Sequence, residues 1–290
     1  MPGTSKLVKQ RIQDETEHLT RSERQLASIL LQDYPMGGLQ SITKLAAAAG
    51  VSTPTVIRMA RKLGFDGFPA LQDALREEVA AQIKKPISKR DGWVVDEGAE
   101  HPLMRFAQVV WANMRHTLER TDTALFDRAA AILADTTRPL YVVGGRITRS
   151  NADYLYNHMQ IIRPNVTMLG NSANVWPQYL LDMDQSSVLV IFDIRRYEAH
   201  LEKLAQIASE RGVTVILFTD QWGSPIGRVA NLTFNGLVEA PSSWDSTIAL
   251  QLIVEALIAE VQGARWEESK ERIEELEAMF SSTRLFRSPT

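Results

Sequence analysis

The segment from Ile42 to Phe65, ITKLAAAAGVSTPTVIRMARKLGF, restricts this chain more than any other. It reads as two short helices joined by a tight turn, the layout of a helix-turn-helix whose second helix enters a DNA major groove. Ala46 is small where the helices would cross, and Gly50 supplies the positive φ needed to leave the first helix. Ser52 is suited to capping the second helix, and Pro54 is tolerated in its first turn.

Winding Thr53–Leu63 at about 100° per residue puts Val56, Met59, Ala60 and Leu63 on one side. Thr55, Arg58, Arg61 and Lys62 fall on the other, outward side. Arginine can grip guanine bidentately or pair with phosphate, and threonine can reach a base edge or a phosphate oxygen. With Thr43, Ser52 and Thr53 these residues form the candidate DNA-contacting set. The competing reading is an ordinary helical hairpin with a solvated basic face.

At 290 residues the chain has room for about two domains. The net charge of −3 conceals an asymmetry: residues 1–90 hold 14 Lys and Arg against 9 Asp and Glu, and the remaining 200 hold 18 against 26. A basic N-terminal part suits a polyanionic partner. The chain has no cysteine, which excludes disulfides, thiolate nucleophiles and Cys-ligated zinc. The first 30 residues lack the apolar core of a signal peptide, and no run reaches the roughly 20 apolar residues of a membrane helix. A cytoplasmic protein with no membrane partner, no cofactor and no metal is expected.

Thr20 with Glu23 is a capping box opening a supporting helix at Ser22–Gln32, and Phe68–Ile83 has helical periodicity. These complete an all-α domain over 1–83, followed by a linker at 84–101. Helices are predicted at Pro102–Arg120 and Thr123–Leu133. Beyond Pro139, short apolar runs at Leu140–Val143, Val166–Leu169, Val188–Phe192, Val213–Thr219 and Leu232–Phe234 alternate with helical stretches. That alternation predicts an α/β domain with a parallel sheet covered on both faces, and ligands in such sheets bind beyond the carboxyl ends of the strands.

The loops at those ends supply the candidate effector-binding residues. Gly145, Arg146, Thr148, Arg149 and Ser150 follow the first strand and open a helix, a setting that favours an anion. The bland alternative is a strand-to-helix turn capped by Ser150. Asp193, Arg195 and Arg196 follow the third strand, where guanidinium groups could hold a carboxylate or phosphate; an internal Arg–Asp pair or subunit contact is the competing reading. Ser242 and Ser243 precede the last long helix and add hydroxyls.

Residues Ile42, Leu45-Ala46, Gly50-Val51-Ser52, Thr55-Val56, Arg58 and Lys62-Leu63-Gly64-Phe65 are similar to the DNA-binding signature of the RpiR/MurR family of bacterial transcription regulators. The C-terminal half, 102–290, resembles the sugar-isomerase (SIS) domain of that family, a phosphosugar-binding fold with a five-stranded parallel sheet flanked by helices. The resemblance implies a homodimer or homotetramer, a palindromic double-stranded DNA operator, and an effector that changes DNA affinity. SIS domains usually carry a loop of the form S-x-S-G-x-T after the strand ending here at Phe192, whereas this chain has Asp193-Ile-Arg-Arg-Tyr-Glu. Guanidinium groups replace hydroxyls, so the implied effector widens from a phosphosugar to a carboxylated or otherwise anionic metabolite.

Two other functions use the same fold. A sugar-phosphate isomerase or lyase would need a positioned base, and Glu198, Glu239, His158 and His200 form no recognisable catalytic spacing. No catalytic residue is therefore assigned. A domain serving only for oligomerisation is the third reading, and the Arg195-Arg196 pair weighs against it.

Overall fold

A computed structural model describes residues 6–32, 34–83 and 101–283. The expected linker at 84–101 lies outside these residues apart from His101. The chain separates into two compact units, Met1–Lys85 and Pro86–Thr290.

The first unit is all helical: α1 (Val8–Asp14), α2 (Arg21–Gln32), α3 (Ile42–Ala48), α4 (Thr53–Lys62) and α5 (Phe68–Ile83). Its core gathers Val8, Ile12, Leu26, Leu30, Leu45, Ala46, Val56, Met59, Ala60, Leu71 and Leu75. Thr20 and Glu23 form the expected reciprocal box, with Thr20 N donating to Glu23 Oε2 (2.8 Å) and Glu23 N to Thr20 Oγ1 (3.4 Å).

Two glycines end the central helices in the same way. Gly50 has φ +61°, and Gly50 N and Val51 N donate to Ala47 O (3.1 Å) and Ala46 O (2.9 Å). Gly64 has φ +85°, and Gly64 N and Phe65 N donate to Arg61 O (2.9 Å) and Ala60 O (3.0 Å). Each closes the last turn with the paired bonds that a left-handed residue after a helix makes available.

Helix α1 was not predicted from periodicity, being only seven residues long. It is anchored by tertiary contacts. Glu78 of α5, buried, accepts from Val8 N (2.7 Å) and from the Tyr34 hydroxyl, and Tyr34 Oη accepts from Lys9 N (3.1 Å). Burial pushes the Glu78 carboxyl above its ordinary range, although Tyr34 and the Val8 amide oppose that.

The second unit begins with α6 (Pro102–Arg120) and α7 (Thr123–Ala134). Strands β1 (Leu140–Gly144), β2 (Val166–Met168), β3 (Val188–Phe192), β4 (Thr214–Asp220) and β5 (Leu232–Gly236) then form one parallel sheet of order β2-β1-β3-β4-β5. The intervening helices are α8 (Arg149–Ile162), α9 (Trp176–Asp182) and α10 (Ala199–Glu210), followed by α11 (Ile248–Ala264) and α12 (Trp266–Thr283). On one face Val143, Leu189, Ile191, Val215 and Leu217 pack with Leu201, Leu204 and Ala208 of α10. Along the carboxyl end, Phe192, Phe218 and Phe234 stack across three neighbouring strands at 4.6 and 4.9 Å. The chain runs outward from β1 in both directions, so the loops after β1 and β3 flank the topological switch point.

Arg163, wholly buried at the end of α8, donates to Leu133 O (2.6 Å), Pro164 O (3.3 Å) and Arg138 O. Burial lowers its pKa to about 10. Helix α12 packs on α8 of its own chain, with Arg272 donating to Gln160 O (3.1 and 3.0 Å) and Ser269 Oγ to Ile162 O (3.4 Å).

Replacing Glu78 with alanine leaves the Val8 amide and Tyr34 hydroxyl without their acceptor, a loss of roughly 1–3 kcal/mol per stranded group. Amide exchange at Val8 and Lys9 is expected to accelerate strongly while exchange in the β-sheet is unchanged.

Candidate functional site

On the helical unit, Arg58 and Arg61 stand exposed on α4, and Thr43 is exposed in the first turn of α3. Ser52 is exposed and Thr53 half-buried at the start of α4. Two residues of the set are engaged within the unit. Thr55, in the first turn of α4, is buried. Its hydroxyl meets Ser52 Oγ (3.0 Å) and accepts from Arg58 Nη2 (3.1 Å), so it holds the Arg58 guanidinium and is not free on the outward face. Ser52 occupies the cap position without bonding the helix backbone through its side chain.

Lys62 is the second, exposed but engaged. Its ammonium donates to Glu23 Oε2 (3.1 Å) and to the His18 carbonyl, tying α4 to α2. Burial works against Glu23, but the Thr20 amide and Lys62 hold its carboxyl below the ordinary range.

On the α/β unit, the loops after β1, β3 and β4 and the segment before α11 meet beyond the strand ends through a hydrogen-bonded polar cluster. Asp220, fully buried at the end of β4, is its centre. One oxygen accepts from Arg195 N (2.6 Å); the other accepts from the Tyr197 hydroxyl (2.8 Å), Trp222 N (3.0 Å) and Gly223 N (3.1 Å). Burial raises its pKa against these donors, and the Tyr197 hydroxyl is raised by burial and by Asp220.

Arg195 is correspondingly not a free ligand group. Its guanidinium makes a bidentate pair with Asp245 (Nε–Oδ2 2.8 Å, Nη2–Oδ1 2.6 Å), reaches Glu239 at 3.5 Å and stacks 4.0 Å over the Trp222 ring. Burial disfavours its charge, but Asp245 and Glu239 more than offset that and raise its pKa. The internal ion pair, not the anion-binding reading, describes this side chain. Arg196 is exposed, with no ion pair or hydrogen bond among the described residues.

Asp193 is buried as well. It accepts from Ser224 Oγ (2.5 Å) and Glu198 N (3.3 Å), and burial pushes its pKa up to about 7. Asp193 is therefore not a free effector-binding group: it accepts from a serine and an amide.

In the loop after β1, Thr148 takes the cap position expected of Ser150. Its hydroxyl is buried, donating to Phe192 O (2.6 Å) and accepting from Gly145 N (3.0 Å). Arg149 is also committed, to Leu169 O (2.9 Å) and Asp153 (3.6 Å). Thr148 and Arg149 therefore brace the loop instead of offering free donors. Arg146 and Ser150 are exposed, and Gly145 is buried against Glu198. Ser242 and Ser243 are half-buried, and Ser242 Oγ accepts from Trp244 N (3.1 Å).

Tyr197, Asp220, Trp222, Ser224 and Asp245 had no role assigned from the sequence. An acidic residue closing an apolar strand at Asp220 was the available signal. Among the other carboxylates and histidines, His158 stacks on Tyr154 at 4.3 Å on α8, and His200 is exposed. Among the described residues no group of three or more His, Asp or Glu could hold a metal ion, and no helix is long and apolar enough to cross a membrane.

Asp193 makes the stability of the α/β unit depend on pH. Its folded pKa, about 7, lies above the ordinary 3.8, so the folded state binds the extra proton between those values. Stability of the α/β unit is therefore expected to fall as pH rises from about 4 to about 7, by up to roughly 1.4 kcal/mol per pH unit from this group. Urea titrations at pH 5 and pH 7.5 check this, and Asp193→Asn is expected to flatten the slope.

Comparison with known proteins agrees with this two-part organisation. The profile described as "Helix-turn-helix domain, rpiR family" matches residues 6–82, and that of the SIS domain matches residues 133–260. The HTH-type transcriptional regulator HexR of Escherichia coli strain K12 is 24% identical over 280 residues, covering 92% of each chain. The Vibrio vulnificus NanR protein complexed with ManNAc-6P superposes with a TM-score of 0.54 at 17% identity, covering 97% of this chain and 100% of that one. The sugar isomerase domain of an RpiR transcription factor from Sphaerobacter thermophilus gives a TM-score of 0.55 at 21% identity, over 61% of this chain and 98% of that one. At these identities the two solved structures speak to the fold alone. A helical DNA-reading unit, a five-stranded parallel sheet and full-length likeness to named regulators together place this chain in the RpiR family of helix-turn-helix transcriptional regulators with a C-terminal SIS domain.

Proposed function

We propose that the protein is a cytoplasmic, ligand-responsive regulator that reads a palindromic operator as a homodimer or homotetramer. Its SIS domain senses a small anionic metabolite, a sugar phosphate or a carboxylate. The observation that carries the DNA-reading part is the Ser52–Thr55–Arg58 chain of hydrogen bonds, which holds an exposed guanidinium in a set direction on α4. A long side chain aimed before binding loses less freedom on reaching a base or phosphate. Arg61 is exposed on the same helix, and the exposed Thr43 and Ser52 with the half-buried Thr53 would serve as phosphate contacts.

The effector part rests on the loop cluster at the switch point, where the exposed Arg146 and Arg196 offer cationic groups. The phosphosugar carried by NanR, of the same fold, supports that ligand class. The buried residues of the cluster are consumed by one another, which suits sensing through loop rearrangement better than turnover. Oligomerisation would set two α4 helices about one DNA turn apart, and effector binding would shift that spacing.

Arg58→Ala is expected to weaken operator binding about tenfold or more, measured by fluorescence anisotropy at fixed salt. Thr55→Val should produce a smaller loss by freeing Arg58. Lys62→Ala, which breaks the Glu23 contact, should act mainly on stability. Unchanged operator affinity in Arg58→Ala would overturn the groove assignment. A thermal-shift panel of phosphosugars and organic acids, followed by operator binding with each hit, tests the effector part; a panel with no hit would speak against it.

A further inference from the structure

The loop after β1 has a backbone N–H directed at the loop after β3, and a carboxylate of this same chain is bound to it. Arg146 N donates to Glu198 Oε1 at 2.7 Å. A Cβ on Gly145 would lie 2.8 Å from that oxygen and 3.3 Å from the carboxyl carbon. The carboxylate is thus seated in the space that the missing side chain leaves. The neighbouring donors are turned away from this seat. Gly145 N and the Thr148 hydroxyl both go to Phe192 O, at 3.0 and 2.6 Å.

Asp193, Arg195 and Glu198 of the β3 loop all carry ionisable groups. Two of them are consumed in the buried cluster, Asp193 by Ser224 and Arg195 by Asp245. Glu198 is half-buried and reaches across to the facing loop. A phosphate approaching Arg146 N would meet an oxygen already hydrogen-bonded there and a like charge beside it.

We propose that Glu198 sets the ligand specificity of the effector site by acting as its built-in anion, filling the seat on the loop after β1 and selecting a non-phosphorylated metabolite over a phosphate ester. This inference rests on the reading of the strand-end loops as the effector site. It narrows the ligand to a small metabolite that does not place a phosphate on the Arg146 amide. An anionic group of such a ligand is left to the exposed guanidinium groups of Arg146 and Arg196.

The test uses inorganic phosphate as the probe and the full chain as the protein. Phosphate is titrated into wild type, Glu198→Ala and Glu198→Gln, following binding by calorimetry and the Arg146 amide by NMR. Glu198→Ala is expected to bind phosphate at least tenfold more tightly than wild type, with the Arg146 amide resonance moving only in the variant. Glu198→Gln keeps the size of the side chain and removes its charge; it should gain affinity in the same direction, and it carries the test if the alanine variant does not fold. Variants that bind phosphate no better than wild type, or a wild type whose Arg146 amide already responds, would overturn the proposal. Failure of the effector-site reading looks different: no metabolite alters operator affinity of the wild type, while the phosphate gain of Glu198→Ala persists.

Discussion

The carboxyl end of the sheet is organised by one buried carboxylate. Asp220 takes donors from the backbone of the β3 loop, from Tyr197 two residues further on, and from the first turn of its own loop. A fully buried carboxylate is costly unless its oxygens are satisfied, and four donors from two segments meet that need. The β3 loop is therefore held to the β4 loop at its backbone, not only by side-chain packing. Arg195 then projects over Trp222 to Asp245, linking the segment before α11 into the same network. Helix α6 joins it from the other side, where Asn113 donates to Glu239 O at 2.7 Å and Thr117 accepts from Leu237 N at 3.0 Å.

Such a network ties the loops that would receive a ligand to the helices around them. A ligand that displaced one member would leave the others short of partners, and the cluster would repack as a unit. That property suits a sensor, because a local binding event becomes a change in how loops and helices fit together. It also accounts for the uneven charge of the site, with Asp193 and Asp220 held away from water while Arg146 and Arg196 remain exposed.

The helical unit shows the same division of labour at smaller scale. Polar residues on α4 that look equivalent on a helical wheel separate into three roles. Arg58 and Arg61 face solvent, Thr55 is buried and steers Arg58, and Lys62 bonds α2. Periodicity places a residue on a side of a helix but does not say how far a neighbouring helix wraps around that side. Thr55 is the case in point: it lies next to Val56 of the apolar stripe, and it is buried with its hydroxyl engaged by Ser52 and Arg58. The short α1 was missed because its anchor, Glu78, is 70 residues away and leaves no local signature.

By itself the sequence determined the two-part architecture, the helix-turn-helix, the five strands and the loops that would meet at their ends. These follow from local rules: apolar repeats of 3.6 or 2, glycines where φ must be positive, caps at helix starts. Gly50 and Gly64 stand at such positions, and the glycine needs no distant partner to act. Tertiary structure alone decided which polar side chains are free. Arg195 and Arg196 are adjacent and chemically identical, yet one is locked to Asp245 and the other faces water. Asp220, Trp222, Asp245 and Glu198 acquired their roles only when separate loops converged. Charge pairing is governed by distance in space, and residues 50 apart in the chain, such as Arg195 and Asp245, disclose nothing of it until the sheet has brought them together.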